Sequence, residues 1–256
     1  MNFKMNMITS TLLAAGFSLL AGTAAAQTCV ANNCAALGFT KSASNCEGDI
    51  IRCPFDTSKV FCKEKEVYVM EAGDILYSDG TISDSVIASK TPVGIVAYVN
   101  GSNGFAVSLT EVSKTWSSGY EDVSCLTNYS SSSAAMTDMN GKTNTMCLVN
   151  YSSSYSYPAA EYCNTFSAVS NGKGSSGWYL PAAGELYSMS FSYGAINLGL
   201  QKLSKTQISS SYYWSSSEYN YSNDTSAWVV SPSDGYMDLY NKLYSRPVRC
   251  AVEFKI

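Results

Sequence analysis

The chain has 256 residues, with 16 Lys+Arg against 20 Asp+Glu and no histidine. Without histidine there is no Ser-His-Asp or Cys-His nucleophile pair and no His-containing zinc site. The net charge is −4 with no block of either sign, so no basic stripe is available for a nucleic acid or an anionic membrane.

Residues 1–26 read as a secretory signal peptide. Lys4 precedes a mainly apolar Ile8–Leu20, and Ala24-x-Ala26 offers a cleavage site before Gln27. The apolar core is too short and too interrupted by Thr and Ser for an anchor, and no later run is apolar enough to span a bilayer. The expectation is a mature chain of residues 27–256, exported to the periplasm, the cell surface or the exterior, with no transmembrane segment.

All nine cysteines follow the signal, where disulfides are the default state. Cys29, Cys34, Cys46, Cys53 and Cys62 crowd into residues 27–66, with Gly38, Gly48 and Pro54 as turn residues and few apolar runs. A segment this short must be held by cross-links. It has no C-x-x-C pair, which weighs against a metal site. The stretch from Cys34 to Cys62 resembles small four-cysteine modules of exported bacterial proteins. That resemblance implies a disulfide-rich module in which Cys34, Cys46, Cys53 and Cys62 pair, leaving Cys29 as a free thiol or a link to another chain. The charged Lys63–Glu66 marks its end.

From residue 67 to 118 the pattern is strand-like: "EVYVMEAGDILYSDGTI" alternates, and "VGIVAYV" and "GFAVSL" flank a glycine-containing turn. Residues 126–157 read as a polar loop enclosed by Cys125 and Cys147. Helices are predicted over residues 158–170, in "PAAGELYSM" and around "AINLGLQKL", with Pro158 and Pro181 at the first two starts. Then "YYWSS", "SAWVV", "GYMDLY" and "RPVRCAVEF" follow as strands. Strands, helices and strands again make an α+β domain.

Four motifs carry a resemblance: "GWYLPAAGEL" (177–186), "YWSSSE" (213–218), "AWVV" (227–230) and "RPVRCAVEF" (246–254). In order and spacing over residues 155–256 they resemble the Legionella collagen-like protein C-terminal domain family, related to the formylglycine-generating-enzyme branch of C-type-lectin-like folds. Residues 67–125 look like the strand-rich lead-in of similar surface proteins from gut bacteria. The resemblance implies a C-type-lectin-like domain over residues 67–256, with its first helix tied to its last strand through Cys163 and Cys250. Cys125 and Cys147 are then the remaining pair. Trp178, Leu180, Pro181, Leu186, Trp214 and Trp228 read as frame residues, and Glu185 as a helix cap or as the partner of Arg249 across the core.

Catalysis finds little support. The strings "EPN", "QPD" and "WND" of calcium-dependent lectins are absent. Formylglycine-type chemistry needs a reactive cysteine pair late in the chain, where only Cys250 follows Cys163. Nothing marks any two of the acids as a glycosidase pair. The chain is therefore expected to be a non-catalytic binding protein without a cofactor or bound metal.

What remains is recognition. From Ser211 to Asn241, 20 of 31 residues are Tyr, Ser, Asn or Asp, the residue types that antibody paratopes use for rigid contact area and adaptable hydrogen bonds. The expected ligand contacts are Glu218, Tyr219, Asn220, Tyr221, Asn223, Asp224, Tyr236, Asp238, Tyr240 and Asn241, facing a carbohydrate or protein ligand. Some proteins with this fold are variable products of diversity-generating retroelements, which scatter such residues over ligand-facing positions. Histidine, another outcome of that mutagenesis, is absent. The alternative reading is a structural or adhesive subunit of a bacterial surface appendage that self-associates through the same face.

Overall fold

Residues 49–53, 56–63, 68–219 and 225–255 are described by a computed structural model, and they fall in two units, residues 1–68 and 69–256. The expected signal peptide, residues 1–26, and Cys29, Cys34 and Cys46 lie outside the described residues, as does the side chain of Cys62. In the first unit β1 (Asp49–Cys53) and β2 (Asp56–Lys63) form an antiparallel hairpin with Ile51 opposite Phe61. Cys53 ends β1, buried and disulfide-bonded.

The second unit is α+β and is organised by two sheets that each separate two hydrophobic clusters. The larger contains β3 (Ile75–Tyr77), β4 (Ile82–Ser83), β5 (Pro92–Asn100), β6 (Asn103–Ser108), β8 (Trp178–Tyr179) and β13 (Ala251–Lys255) in the order β4-β3-β5-β6-β13-β8, antiparallel throughout. Because side chains alternate along a strand, Leu76, Val96, Ala106, Val252 and Trp178 enter one cluster. Their neighbours Ile75, Ile95, Val107, Ala251 and Tyr179 enter the other. Both faces are therefore covered. The smaller sheet, β9 (Tyr213–Glu218), β10 (Ser226–Val230) and β11 (Met237–Asn241), follows the same rule, with Trp214 and Val229 on one side and Tyr213, Trp228 and Val230 on the other. A third ribbon pairs β7 (Val112–Lys114) with β12 (Arg246–Val248).

Five helices cover these faces among the described residues: α1 (Ser132–Ala135), α2 (Gly141–Asn150), α3 (Pro158–Thr165), α4 (Ala183–Ser190) and α5 (Tyr193–Lys202). Pro158 occupies the first turn of α3, where its missing N–H costs no hydrogen bond. α2 and α3 bury Leu148, Ala159 and Cys163 in the first cluster, whereas α4 and α5 bury Leu186, Met189, Ile196 and Leu200 in the second. α5 lies close on the sheet because two glycines permit it. A Cβ on Gly199 would stand 2.4 Å from Gly73 O, and one on Gly73, itself at φ +99°, 2.6 Å from Ala195 O.

The loop expected over residues 126–157 is corrected. Cys147 sits within α2, whose buried face is Gly141, Asn144, Thr145 and Leu148. That face is mostly polar, so apolar periodicity does not reveal it. Disulfides join Cys125 to Cys147 and Cys163 to Cys250, the latter tying α3 to the residue before β13.

Candidate functional site

The three-stranded sheet positions the candidate surface. β10 lies between β9 and β11, with Ala227 opposite Tyr240, Trp228 opposite Leu239 and Val229 opposite Asp238. On the edge strand β11, Met237 and Leu239 face the second cluster, so alternation turns Tyr236, Asp238 and Tyr240 to the other side. There the sheet outruns the core that covers β9. Tyr236 is 61% exposed, Asp238 is exposed, and Tyr240 is half-buried.

Tyr212, just before β9, joins this surface. Its ring centroid lies 6.3 Å from those of both Tyr236 and Tyr240. The Arg246 guanidinium covers the Tyr240 ring at 3.5 Å. Partial burial raises the Tyr212 hydroxyl above its usual pKa, and Asp238, Tyr236, Asp234 and Tyr240 add to the rise. The result is an aromatic cluster with acids on one side and a stacked cation on the other.

The expected contacts therefore divide. Asn220, Tyr221, Asn223 and Asp224 lie outside the described residues. Tyr219 packs edge-on against Trp228 at 5.6 Å. Asn241 exchanges hydrogen bonds with Tyr120 Oη and caps Leu243 N at 3.0 Å, a turn-forming arrangement. Glu218 is corrected as a surface contact. It is 1% exposed, paired with the fully buried Lys242, and accepts from Val123 N at 3.0 Å. Lys242 also donates to Glu121 O at 2.7 Å and sits 4.8 Å over the Trp116 ring. Burial raises the Glu218 carboxyl above its usual range, opposed by the Lys242 charge. This pair fixes both ends of the 219–225 connection, since Lys242 N also donates to Thr225 O.

Each tryptophan indole N–H is satisfied by a main-chain carbonyl, as buried indoles require. Trp116 donates to Ser215 O, Trp178 to Gly174 O, Trp214 to Lys114 O and Trp228 to Tyr129 O, at 2.8–3.0 Å. The serines of "YWSSSE" are buried too. Ser215 Oγ donates to Trp228 O, Ser217 Oγ to Asp138 Oδ2, and Ser216 Oγ accepts from Asn144 Nδ2. These hydroxyls belong to an internal polar seam and present nothing to a ligand.

Arg249 does not reach Glu185. It pairs with Glu111 at 2.8 Å and donates to Ser108 O and Thr206 O. Glu185 is occupied elsewhere: it caps α4 by accepting from Ala182 N at 2.7 Å and accepts from Tyr179 Oη at 3.0 Å. Burial pushes its carboxyl up to about 8, against both hydrogen bonds. A folded-state pKa above the unfolded value means that the unfolded chain releases this proton first as pH rises. Stability from this group is full below about pH 4.5 and is lost up to about pH 8. Between pH 6 and pH 8 the loss is roughly 2 kcal/mol. Glu185→Gln keeps both hydrogen-bonding positions and should flatten urea stability across that interval. An unchanged pH slope would show that Glu185 is ionised in the fold.

Sequence reasoning missed Tyr212 and Arg246, which it assigned to frame strands, and Lys114, which carried no motif. The available signal was position: Arg246 stands two residues before the buried Val248, on the same side of its strand. Among the described residues no helix is long and apolar enough to cross a membrane, and no three His, Cys, Asp or Glu gather as a metal site.

Comparison with known proteins follows from this geometry. The family model of the Lcl C-terminal domain matches residues 115–251, which contain all four cysteines of the Cys125–Cys147 and Cys163–Cys250 bonds, all four tryptophans and the three clustered tyrosines. A solved structure, a fimbrial protein from Bacteroides ovatus ATCC 8483, is similar in fold with a TM-score of 0.54 and 20% identity. The match covers 72% of this chain and 49% of that one, so the chain spans about half that protein's length. No curated protein matches the chain.

Proposed function

The chain belongs to the Lcl C-terminal domain family, and from that premise we propose that it is an exported, non-catalytic surface protein of adhesive type. Its second unit serves as a C-type-lectin-like domain that recognises a carbohydrate or protein ligand. The observation that carries this reading is the outward side of β11, where Tyr236, Asp238 and Tyr240 gather with Tyr212. Tyrosines with small polar and acidic neighbours supply contact area at low entropic cost. The two disulfides fit an oxidising compartment. The ten expected contact residues reduce to eight under this proposal, because Glu218 is internal and Asn241 is engaged by Tyr120.

The test is a combined glycan and protein array probed with the mature chain. Tyr236→Ala and Tyr240→Ala together should reduce any specific signal about tenfold or more while the melting temperature stays close to the parent's. A signal indifferent to both substitutions would move the site off β11.

The similarity to a fimbrial protein favours a second reading, in which the chain is a structural or adhesive subunit of a surface appendage. Sedimentation separates the two: a receptor stays monomeric, and a subunit self-associates through the tyrosine face. Diversification by a retroelement would act on Tyr219–Tyr221, Asn223, Asp224, Tyr236, Asp238, Tyr240 and Asn241. It requires a reverse-transcriptase gene and a near-copy of the 3′ coding region beside this gene.

A further inference from the structure

Two cations face each other across the β7–β12 ribbon. Arg246 is the register partner of Lys114, and Val248 that of Val112. Directly opposed residues share a face, and on this face Val248 and Val112 pack into the first cluster. Lys114 and Arg246 therefore continue a core-facing row outward, to the rim where the tyrosines begin. Each lays its charge over an aromatic ring: Arg246 over Tyr240 at 3.5 Å, Lys114 over Tyr162 at 5.6 Å. Among the described residues neither has a carboxylate within 4 Å, and neither side chain donates a hydrogen bond. Arg246 Nε is buried without any partner.

This arrangement is unfavourable in isolation. Like charges directly opposite on a ribbon repel, and a guanidinium is a planar fork with five donors matched to a carboxylate. In a chain of net charge −4 with twenty acids, neither of these half-buried cations has an ion-pair partner among the described residues. Asp234 and Asp238 are grouped around Tyr212 instead. An external anion would complete the fork and relieve the repulsion.

We propose that Arg246 and Lys114, with Tyr212, Tyr236 and Tyr240, form the hot spot of a protein–protein interface whose partner segment presents an Asp or Glu carboxylate. The proposal rests on the recognition reading above and names the class of partner. A protein is favoured over a sugar by the ring geometry. Tyr240 already has one face covered by Arg246, and Tyr212 meets both other tyrosines at tilts of 59° and 35°, so no open, coplanar platform is offered to a pyranose. Clustered Tyr and Arg are instead the residues that dominate protein interfaces.

The experiment pans a phage-displayed library of random dodecapeptides on the full exported chain and resynthesises the enriched peptides. Enriched sequences are expected to carry Asp or Glu. Their binding should weaken about tenfold or more when those acids become Asn or Gln, and equally when the chain carries Arg246→Gln or Lys114→Gln. Arg246→Lys, which retains charge and loses the fork, should fall between. All three variants should melt with the parent. Enrichment of acid-free peptides, no enrichment, or acid-dependent binding indifferent to both Gln substitutions would overturn the proposal. Binding of polygalacturonate that depends on Arg246, with no peptide bound, would overturn the protein partner in favour of an acidic sugar. An array ligand that needs Tyr236 and Tyr240 but not Arg246 would overturn this inference alone. One that needs none of the three would remove the recognition surface as well.

Discussion

Replacing Cys163 and Cys250 together by alanine is expected to lower the stability of the second unit by about 4 to 5 kcal/mol. The bond spans 87 residues, and its absence frees the unfolded chain to explore conformations that the closed loop forbids. Cys125–Cys147 spans 22 residues, so the same argument assigns it about 3 kcal/mol. Both cysteines of the longer bond are buried, and alanine leaves only a small void at each. All four tryptophans, Trp116, Trp178, Trp214 and Trp228, lie in the second unit. Their fluorescence during urea denaturation therefore reports on that unit alone. Measured losses in the reverse order would show that native-state packing, not loop closure, sets the contribution of each bond. Against a typical domain stability of about 5 to 15 kcal/mol, the longer bond supplies about a third or more of what holds this unit folded.

Lys242→Met is expected to cost about 3 to 5 kcal/mol at neutral pH. The substitution keeps most of the apolar stem and removes the charge, leaving the Glu218 carboxylate 1% exposed with no counter-ion. Burial already raises the Glu218 pKa with Lys242 in place, and loss of the cation must raise it further. The deficit should therefore shrink as the pH falls and Glu218 takes up a proton. The double variant Glu218→Gln, Lys242→Met should recover much of the loss, since a pair removed together leaves no unpaired charge. Urea denaturation of both variants at two pH values checks this. A single variant as stable as the parent would mean that Glu218 is already neutral.

These two features differ in how far they could be read from the sequence. The Cys163–Cys250 pairing follows from recognising the motifs around it. Glu218–Lys242 does not, because nothing local marks which lysine will meet a given glutamate 24 residues away. Glu218 sits beside a run of Tyr, Asn and Ser and reads as part of that run, yet β9 carries it inside. The strands were legible because Val, Ile and aromatic residues concentrate there. α2 was not, because Asn144 and Thr145 hold its inner face. They face inward to bind Asp138, Ser216 and the main chain at Leu180, and a search for apolar periodicity discards such residues. The aromatic surface was half legible. Composition pointed to Tyr236 and Tyr240, whereas Tyr212 and Arg246 come to them only through the pairing of β9, β10 and β11 and the ribbon that packs against them.

The position of β13 has a bearing on the order in which this protein acquires its structure. Its residues 251–255 fill the place between β6 and β8, contributing Val252 and Ala251 to opposite sides of the sheet. A growing chain that has reached Arg249 still lacks Cys250 and the strand that joins β8 to the rest of its largest sheet. Neither the sheet nor the longer cross-link can close until residues 250–255 have been made. Pairings between segments so far apart in sequence form slowly. Until then β8, whose sheet neighbour is β13, has no strand to pair with, so the largest sheet is completed from its residue 251–255 side.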